Sequence, residues 1–135
     1  MNKWLRAVCV GAAAAAMLTA SAFAANYTNC ADSLHEMGLF QGTQNGYDLD
    51  RTPTRAEAAV MLVRLLGKEA EAKALTYTAP FTDLKGWEKP YVQYLYSNGL
   101  ANGTSRTTFH PTGKCTAQIY ATFLLRALGY SDTAD

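Results

Sequence analysis

An all-α fold of tandem helix–loop–helix units is predicted by three features of the sequence. The first is self-similarity. Gly38-Leu39-Phe40-Gln41-Gly42-Thr43 matches Gly99-Leu100-Ala101-Asn102-Gly103-Thr104 at an offset of 61, and Thr54 through Gly67 matches Thr116 through Gly129 at an offset of 62. The second is apolar residues at helical spacing, expected to form a buried stripe: Ala59, Leu62, Val63 and Leu66 in one copy, and Ile119 or Tyr120, Phe123, Leu124, Ala127 and Leu128 in the other. The third is punctuation: a threonine opens each of these runs and a glycine closes it.

Ahead of the repeats lies a targeting segment. Lys3 and Arg6 precede the apolar run Ala7 to Leu18, and Ala22-Phe23-Ala24 supplies the small-x-small pattern of a signal-peptidase site. Residues 1–24 therefore read as a signal peptide, and the apolar run is short for a membrane span of about 20 residues. Neither Cys9, near the start of the run rather than after it, nor Cys30, after Thr28-Asn29, sits in a lipoprotein setting. Cleavage after Ala24 leaves ten cations against eleven acids, so the exported chain is nearly neutral. That balance offers no electrostatic grip on nucleic acid. With 49% hydrophobic and 17% charged residues, the 135-residue chain has the composition of one folded domain rather than a disordered tail.

The elements follow in order. A first short helix is expected over about Thr28–Met37, ended by Gly38 in the left-handed conformation. A polar loop leads to Tyr47, expected to plug the gap between helices. Thr54-Arg55-Ala56-Glu57 is a capping box, in which Thr54 accepts from the Glu57 amide and the Glu57 carboxylate reaches back to the Thr54 amide. Gly67 stops that helix, and Glu69, Glu71 and Lys73 are expected to prolong it by about a turn. The second unit starts at Phe81-Thr82-Asp83. Its first helix spans about Trp87–Asn98, with Pro90 tolerated in the opening turn and Gly99 closing it. Phe109 is the second plug. Thr116 caps the last helix, but Ile119 replaces the capping glutamate. Arg64 and Arg126 lie in last turns, where the helix dipole favours a cation.

Phe81-Thr82-Asp83-Leu84 with Trp87, Gly99-Leu100-Ala101-Asn102-Gly103, Phe109-His110-Pro111 and Thr54-Arg55-Ala56-Glu57 together resemble the S-layer homology (SLH) repeat. The resemblance spans nearly all of residues 27–130. It divides the exported chain into repeat 1 at 25–74, with a truncated start, and repeat 2 at 75–135, with a degenerate signature. The family implies a noncatalytic module that anchors exported proteins to the bacterial cell wall. It also implies repeats that form a pseudo-threefold helical bundle with ligand grooves between neighbours. The implied partner is a secondary cell-wall polysaccharide or peptidoglycan-linked glycan, commonly bearing a pyruvate ketal. The signature arginine typically meets the anionic sugar, while the aspartate and tryptophan build the groove. Carried over, the ligand-binding residues are Arg55, Asp83 and Trp87, and Thr54, Glu57 and Thr116 are helix caps. No cofactor or metal is expected.

The residues themselves give a reason to single out Arg55. A cation in the first turn of a helix is disfavoured by the dipole, so capping does not explain it. An anion docked on free first-turn amides would, the plainer alternative being a solvated arginine on the surface. Trp87 reads either as a core plug or as an exposed face for a sugar ring, and Asp83 as a helix cap or a hydroxyl ligand. In repeat 2, Ala117 and Ile119 stand where repeat 1 has Arg55 and Glu57, so one complete groove is the most that can be assembled. Two repeats are fewer than the three that stacked repeats normally need, which points to further repeats in a longer protein or to a homo-oligomer.

Two competing readings remain in view. An enzyme would need a nucleophile with a base, paired carboxylates or a metal set. Cys115 with His110 is the nearest pair, and it has no third member and no trace in repeat 1. A structural interaction or self-assembly module, its glycan site decayed, is the stronger rival. An exported chain also permits a Cys30–Cys115 disulfide, whose formation spacing does not decide.

Overall fold

The computed structural model describes residues 27–130, so the signal-peptide segment and its cleavage point lie outside the described residues. The chain divides into two compact units, one ending at Leu49 and one beginning at Asp50. Five helices and no strands occur among the described residues, an all-α fold as predicted.

In the first unit, α1 covers 27–36. Gly38, at φ +72°, ends it as expected, and the Leu39 amide closes back on the Leu34 carbonyl at 2.9 Å. Tyr47 is half-buried and packs on His35 and Phe40, with its hydroxyl donating to Asp32 at 2.8 Å.

The second unit holds α2 (Arg55–Leu65), α3 (Glu69–Ala74), α4 (Lys89–Ser97) and α5 (Ala117–Ala127). The α2 capping box forms in full: the Glu57 amide donates to Thr54 Oγ1 at 3.2 Å, and the Thr54 amide to Glu57 Oε2 at 2.6 Å. Thr116 caps α5 by accepting from the Ile119 amide at 3.3 Å. Pro90 sits in the first turn of α4, and Gly99 follows it at φ +69°. Leu62 and Val63 of α2, Val92 and Leu95 of α4 and Phe109 are fully buried in one core. Of the two expected plugs, Phe109 is wholly buried, against the Phe81 ring, and Tyr47 is half-buried.

Two expectations need correction. The acidic and basic residues after Gly67 do not prolong α2. Gly67, at φ +68°, breaks the chain, and they form the separate helix α3. That helix buries Ala72 and packs on α4, where Tyr91 Oη donates to Glu69 Oε1 at 2.7 Å. Glu69 also pairs with Arg64 at 3.4 Å and Lys73 at 2.9 Å, so Arg64 is tied to a carboxylate as well as suited to the dipole. The second correction concerns α5. Phe123 is buried and Ile119, Tyr120, Leu124 and Ala127 are partly covered, but Leu128 is 73% exposed, with Leu125 and Tyr130 also open. Within this unit α5 packs only on α2, so its far side has nothing to bury against.

The segments entering α2 and α5 are stitched together. The Cys115 amide donates to the Pro53 carbonyl at 2.8 Å, and Thr54 and Lys114 form an isolated antiparallel bridge. Cys115 is buried beside this seam and Cys30 is exposed; both are free thiols.

Candidate functional site

The site is organised by the turn 109–113, which joins the loop of repeat 2 to the cap of α5. Its backbone is gripped from two sides. Arg55, in the first turn of α2, is only 8% exposed; its Nε donates to the Phe109 carbonyl at 2.9 Å and its Nη2 to the Asn102 carbonyl at 3.1 Å. Its guanidinium also lies 4.6 Å from the centroid of the Phe109 ring, a cation–π distance. Burial lowers the pKa of the guanidinium, which nevertheless stays charged. From the other side, Asp83 Oδ1 accepts from the Phe109 amide at 2.9 Å and Oδ2 from the His110 amide at 2.7 Å. Burial pushes the Asp83 carboxyl upward, but these amides outweigh it and hold the pKa below the ordinary value.

This geometry corrects one premise about the helix end. The first-turn amides of α2 are not free for an anion. The Arg55 amide donates to the Gly113 carbonyl at 2.8 Å, the Ala56 amide to the Pro111 carbonyl at 3.0 Å, and the Glu57 amide to Thr54. The helix terminus thus receives the 109–113 turn itself. Asp83, likewise, caps this turn rather than a helix.

Two shallow cavities flank the turn and share Pro111 and Thr112 as their common wall. One, of about 220 Å³, is lined also by Thr54, Ala56, Glu57, Trp87 and Glu88. The other, of about 270 Å³, is lined also by Asp83, Lys85 and His110. Trp87 precedes α4 rather than starting it and is 60% exposed, an open aromatic face rather than a core plug. Glu88 is buried, with Oε1 accepting from the Lys85 and Gly86 amides at 2.9 and 3.0 Å. A Cβ at Gly86 would lie 2.7 Å from Glu88 Oε2, so a larger residue there would push the Glu88 carboxylate aside. Glu57 is held by Arg51 through two bonds, at 2.8 and 2.9 Å. That pairing is the main reason its pKa falls to about 2.

Of the expected ligand residues, Asp83 and Trp87 line the two cavities, while Arg55 lies behind their shared wall. Lys85, His110 and Thr112 line the same surface and were not assigned to the ligand from sequence, where His110 was weighed only as a motif residue and as a partner for Cys115. A usable signal existed for His110: aligned by the repeat, it replaces the acid Asp48, and both residues adopt positive φ, +62° and +52°. Lys85 carries no comparable mark beyond lying between two motif residues. Chemically, the surface offers an aromatic face beside the Glu57 and Glu88 carboxylates in one cavity, and an ammonium and an imidazole beside the Asp83 carboxylate in the other. No group of three or more metal-ligating side chains occurs among the described residues.

Comparison with known proteins places this surface in a family. The model of the S-layer homology domain matches residues 80–116, which include Asp83, Trp87 and the whole 109–113 turn. A middle cell wall protein of Brevibacillus brevis is 34% identical over 119 residues, covering 86% of this chain and 11% of that protein. A surface layer protein of Brevibacillus choshinensis is 33% identical over 100 residues, 72% of this chain and 9% of its own length. An endoglucanase of a Bacillus species shares 42% identity over 52 residues, 37% of this chain and 6% of the enzyme. The chain thus spans about a tenth or less of the length of these relatives. The motif match, the repeated cap-and-turn geometry and these relatives agree: through the domain at residues 80–116, this chain belongs to the S-layer homology family.

Proposed function

We propose that the chain is a noncatalytic cell-surface anchoring module, exported and held at the wall by a secondary cell-wall polysaccharide. The observation that carries the reading is the exposed Trp87 face over a groove walled by Pro111 and Thr112. Aromatic faces of this kind stack on sugar rings, while fixed carboxylates such as Glu57 and Glu88 accept hydroxyl hydrogen bonds. Arg55 and Asp83 serve the site by holding the wall in place, and the ligand is an acidic glycan of the pyruvylated type that the family resemblance implies. The names of the relatives, cell wall protein and surface layer protein, support the location.

The test is a pull-down of the full exported chain on sacculi with and without their secondary polysaccharide, beside Trp87→Ala and Arg55→Ala. Binding should require the polymer and fall with either substitution. Retention on stripped sacculi, or binding indifferent to both substitutions, would overturn the reading. A second reading, assembly with other protein subunits, is favoured by the open apolar side of α5 at Leu125, Leu128 and Tyr130. Salt separates the two: contact with an anionic polymer weakens as ionic strength rises, whereas apolar association persists or strengthens in kosmotropic salts.

A further inference from the structure

We propose that Lys85 and His110 form the end of the groove that recognises the acidic substituent of the wall glycan. The inference rests on the polysaccharide reading above and names which side chains meet the charge. Arg55 is poorly placed for that task. It is buried, and two of its nitrogens already donate to the Phe109 and Asn102 carbonyls. The amides beside it are occupied by the Pro111 and Gly113 carbonyls and by Thr54.

Lys85 and His110, by contrast, are exposed and line one cavity of about 270 Å³ with Asp83, Pro111 and Thr112. Neither the Lys85 ammonium nor the His110 ring has a hydrogen bond or ion pair among the described residues. Between them they offer a point charge and ring N–H donors, which suit a carboxylate or phosphate.

The backbone fixes the His110 ring in this position. His110 sits at φ +62°, a region that residues other than glycine rarely occupy and that Asn, Asp and His tolerate best. Its amide donates to Asp83 at 2.7 Å, and its carbonyl accepts from the Gly113 amide at 3.0 Å. Gly113 also leaves the room the ring needs, since a Cβ there would lie 2.8 Å from His110 Cδ2. Held strain of this kind, at the lip of a cavity, is the arrangement expected of a residue that meets a ligand. Asp83 is the opposing charge at this end, and both its oxygens accept from the Phe109 and His110 amides, so it is fixed in the wall. Repeat 1 carries the acid Asp48 at the equivalent turn, at φ +52°, so the imidazole is particular to repeat 2.

The experiment is calorimetric titration of the full exported chain with purified wall polysaccharide in three forms: native, carboxyl-reduced and dephosphorylated. Lys85→Gln and His110→Asn are combined, and His110→Asp restores the repeat 1 residue while adding a negative charge. All three substitutions keep the backbone tolerable, and matched thermal melts verify folding. The double variant should lose tenfold or more in affinity for native polymer, and His110→Asp should lose more than His110→Asn. On the polymer that lacks the recognised group, parent and double variant should bind alike, and that arm identifies the group as carboxylate or phosphate. Trp87→Ala should weaken binding to every form. Native polymer bound equally by parent and double variant, with Trp87→Ala still defective, would overturn this inference and leave the polysaccharide reading standing. A parent that binds no form of the polymer would overturn both.

Discussion

Arg55 and Asp83 hold the two polar backbone groups of one residue. The guanidinium donates to the Phe109 carbonyl and the carboxylate accepts from the Phe109 amide, each at 2.9 Å, while the ring between them is wholly buried. A residue from the first repeat and one from the second therefore determine where the second repeat's turn lies. Family resemblance assigns both to the ligand, and the geometry gives both a prior task in building the wall that the ligand would meet.

Arg55→Ala should therefore destabilise the fold as well as impair binding. Two carbonyls lose a charged donor, each such bond contributing about 1.5–3 kcal/mol. Urea unfolding should show a loss of about 3–6 kcal/mol. A loss below about 0.5 kcal/mol would mean that water replaces the guanidinium at no cost and that the clamp is incidental.

Gly103 should not tolerate alanine. A Cβ there would lie 2.4 Å from a Phe81 ring carbon and the Ser105 carbonyl oxygen, and 2.5 Å from the Thr108 carbonyl oxygen. Two of these three neighbours are backbone and cannot swing aside. Gly103→Ala should cost about 1–3 kcal/mol in thermal or urea melts, whereas Gly86→Ala meets only the Glu88 side chain and should cost less.

Acid should weaken the unit through Glu57 and Glu69. Each has an ordinary value of 4.5 and is held at about 2 in the fold, Glu57 chiefly by Arg51 and Glu69 chiefly by Tyr91. Lowered carboxyl values mean that the folded state favours the ionised form. Their contribution is fully present above pH 4.5 and is lost as the pH falls toward 2. Glu57→Gln should flatten the fall in melting temperature across that window and lower stability at neutral pH. An unchanged acid slope would remove Glu57 as its source.

The two cysteines of the exported chain should differ sharply toward a thiol reagent. Cys30 is exposed, while Cys115 is buried and its thiol is pushed upward by that burial. Ellman titration of the native protein should show one prompt thiol and one that reacts only on unfolding. Two prompt thiols would show that the seam between Pro53 and Cys115 opens readily.

On α5, Phe123→Ala should cost about 3–5 kcal/mol, because Phe123 is buried in the core. Leu128→Ala should stay within about 0.5 kcal/mol, since its side chain is mostly exposed. Chemical denaturation of both variants checks the contrast, and a large loss at Leu128 would indicate that a partner covers it in solution.

The helices were legible because their signals are local. Thr54 with Glu57, Gly38, Gly99 and Pro90 act within one turn of themselves, and each behaves as its chemistry dictates. The core stripe of α2 was legible for the same reason, since Ala59, Leu62 and Val63 needed only a partner of some kind. Leu128 was misread because helical spacing shows which side is apolar and not whether anything lies against it. The site was legible in its residues and not in their roles. That Arg55 reaches Phe109, 54 residues along the chain, depends on the stitching of 53–55 to 113–115, which no local pattern encodes. Lys85 and His110 were not read as ligand residues, because each is an ordinary surface residue until the turn brings them to one cavity.

The compact unit that begins at Asp50 starts inside the first repeat, so duplication and folding are out of phase. The sequence copies itself in steps of 61 to 62 residues, yet α2 of one copy packs with α4 of the next. A further step of the same kind would again set a helix of one copy against the next, although Ala117 in place of Arg55 leaves a junction after repeat 2 without the arginine clamp. A cut placed at a repeat boundary separates Arg55 from the turn it holds. Modules of this architecture therefore resist excision one at a time.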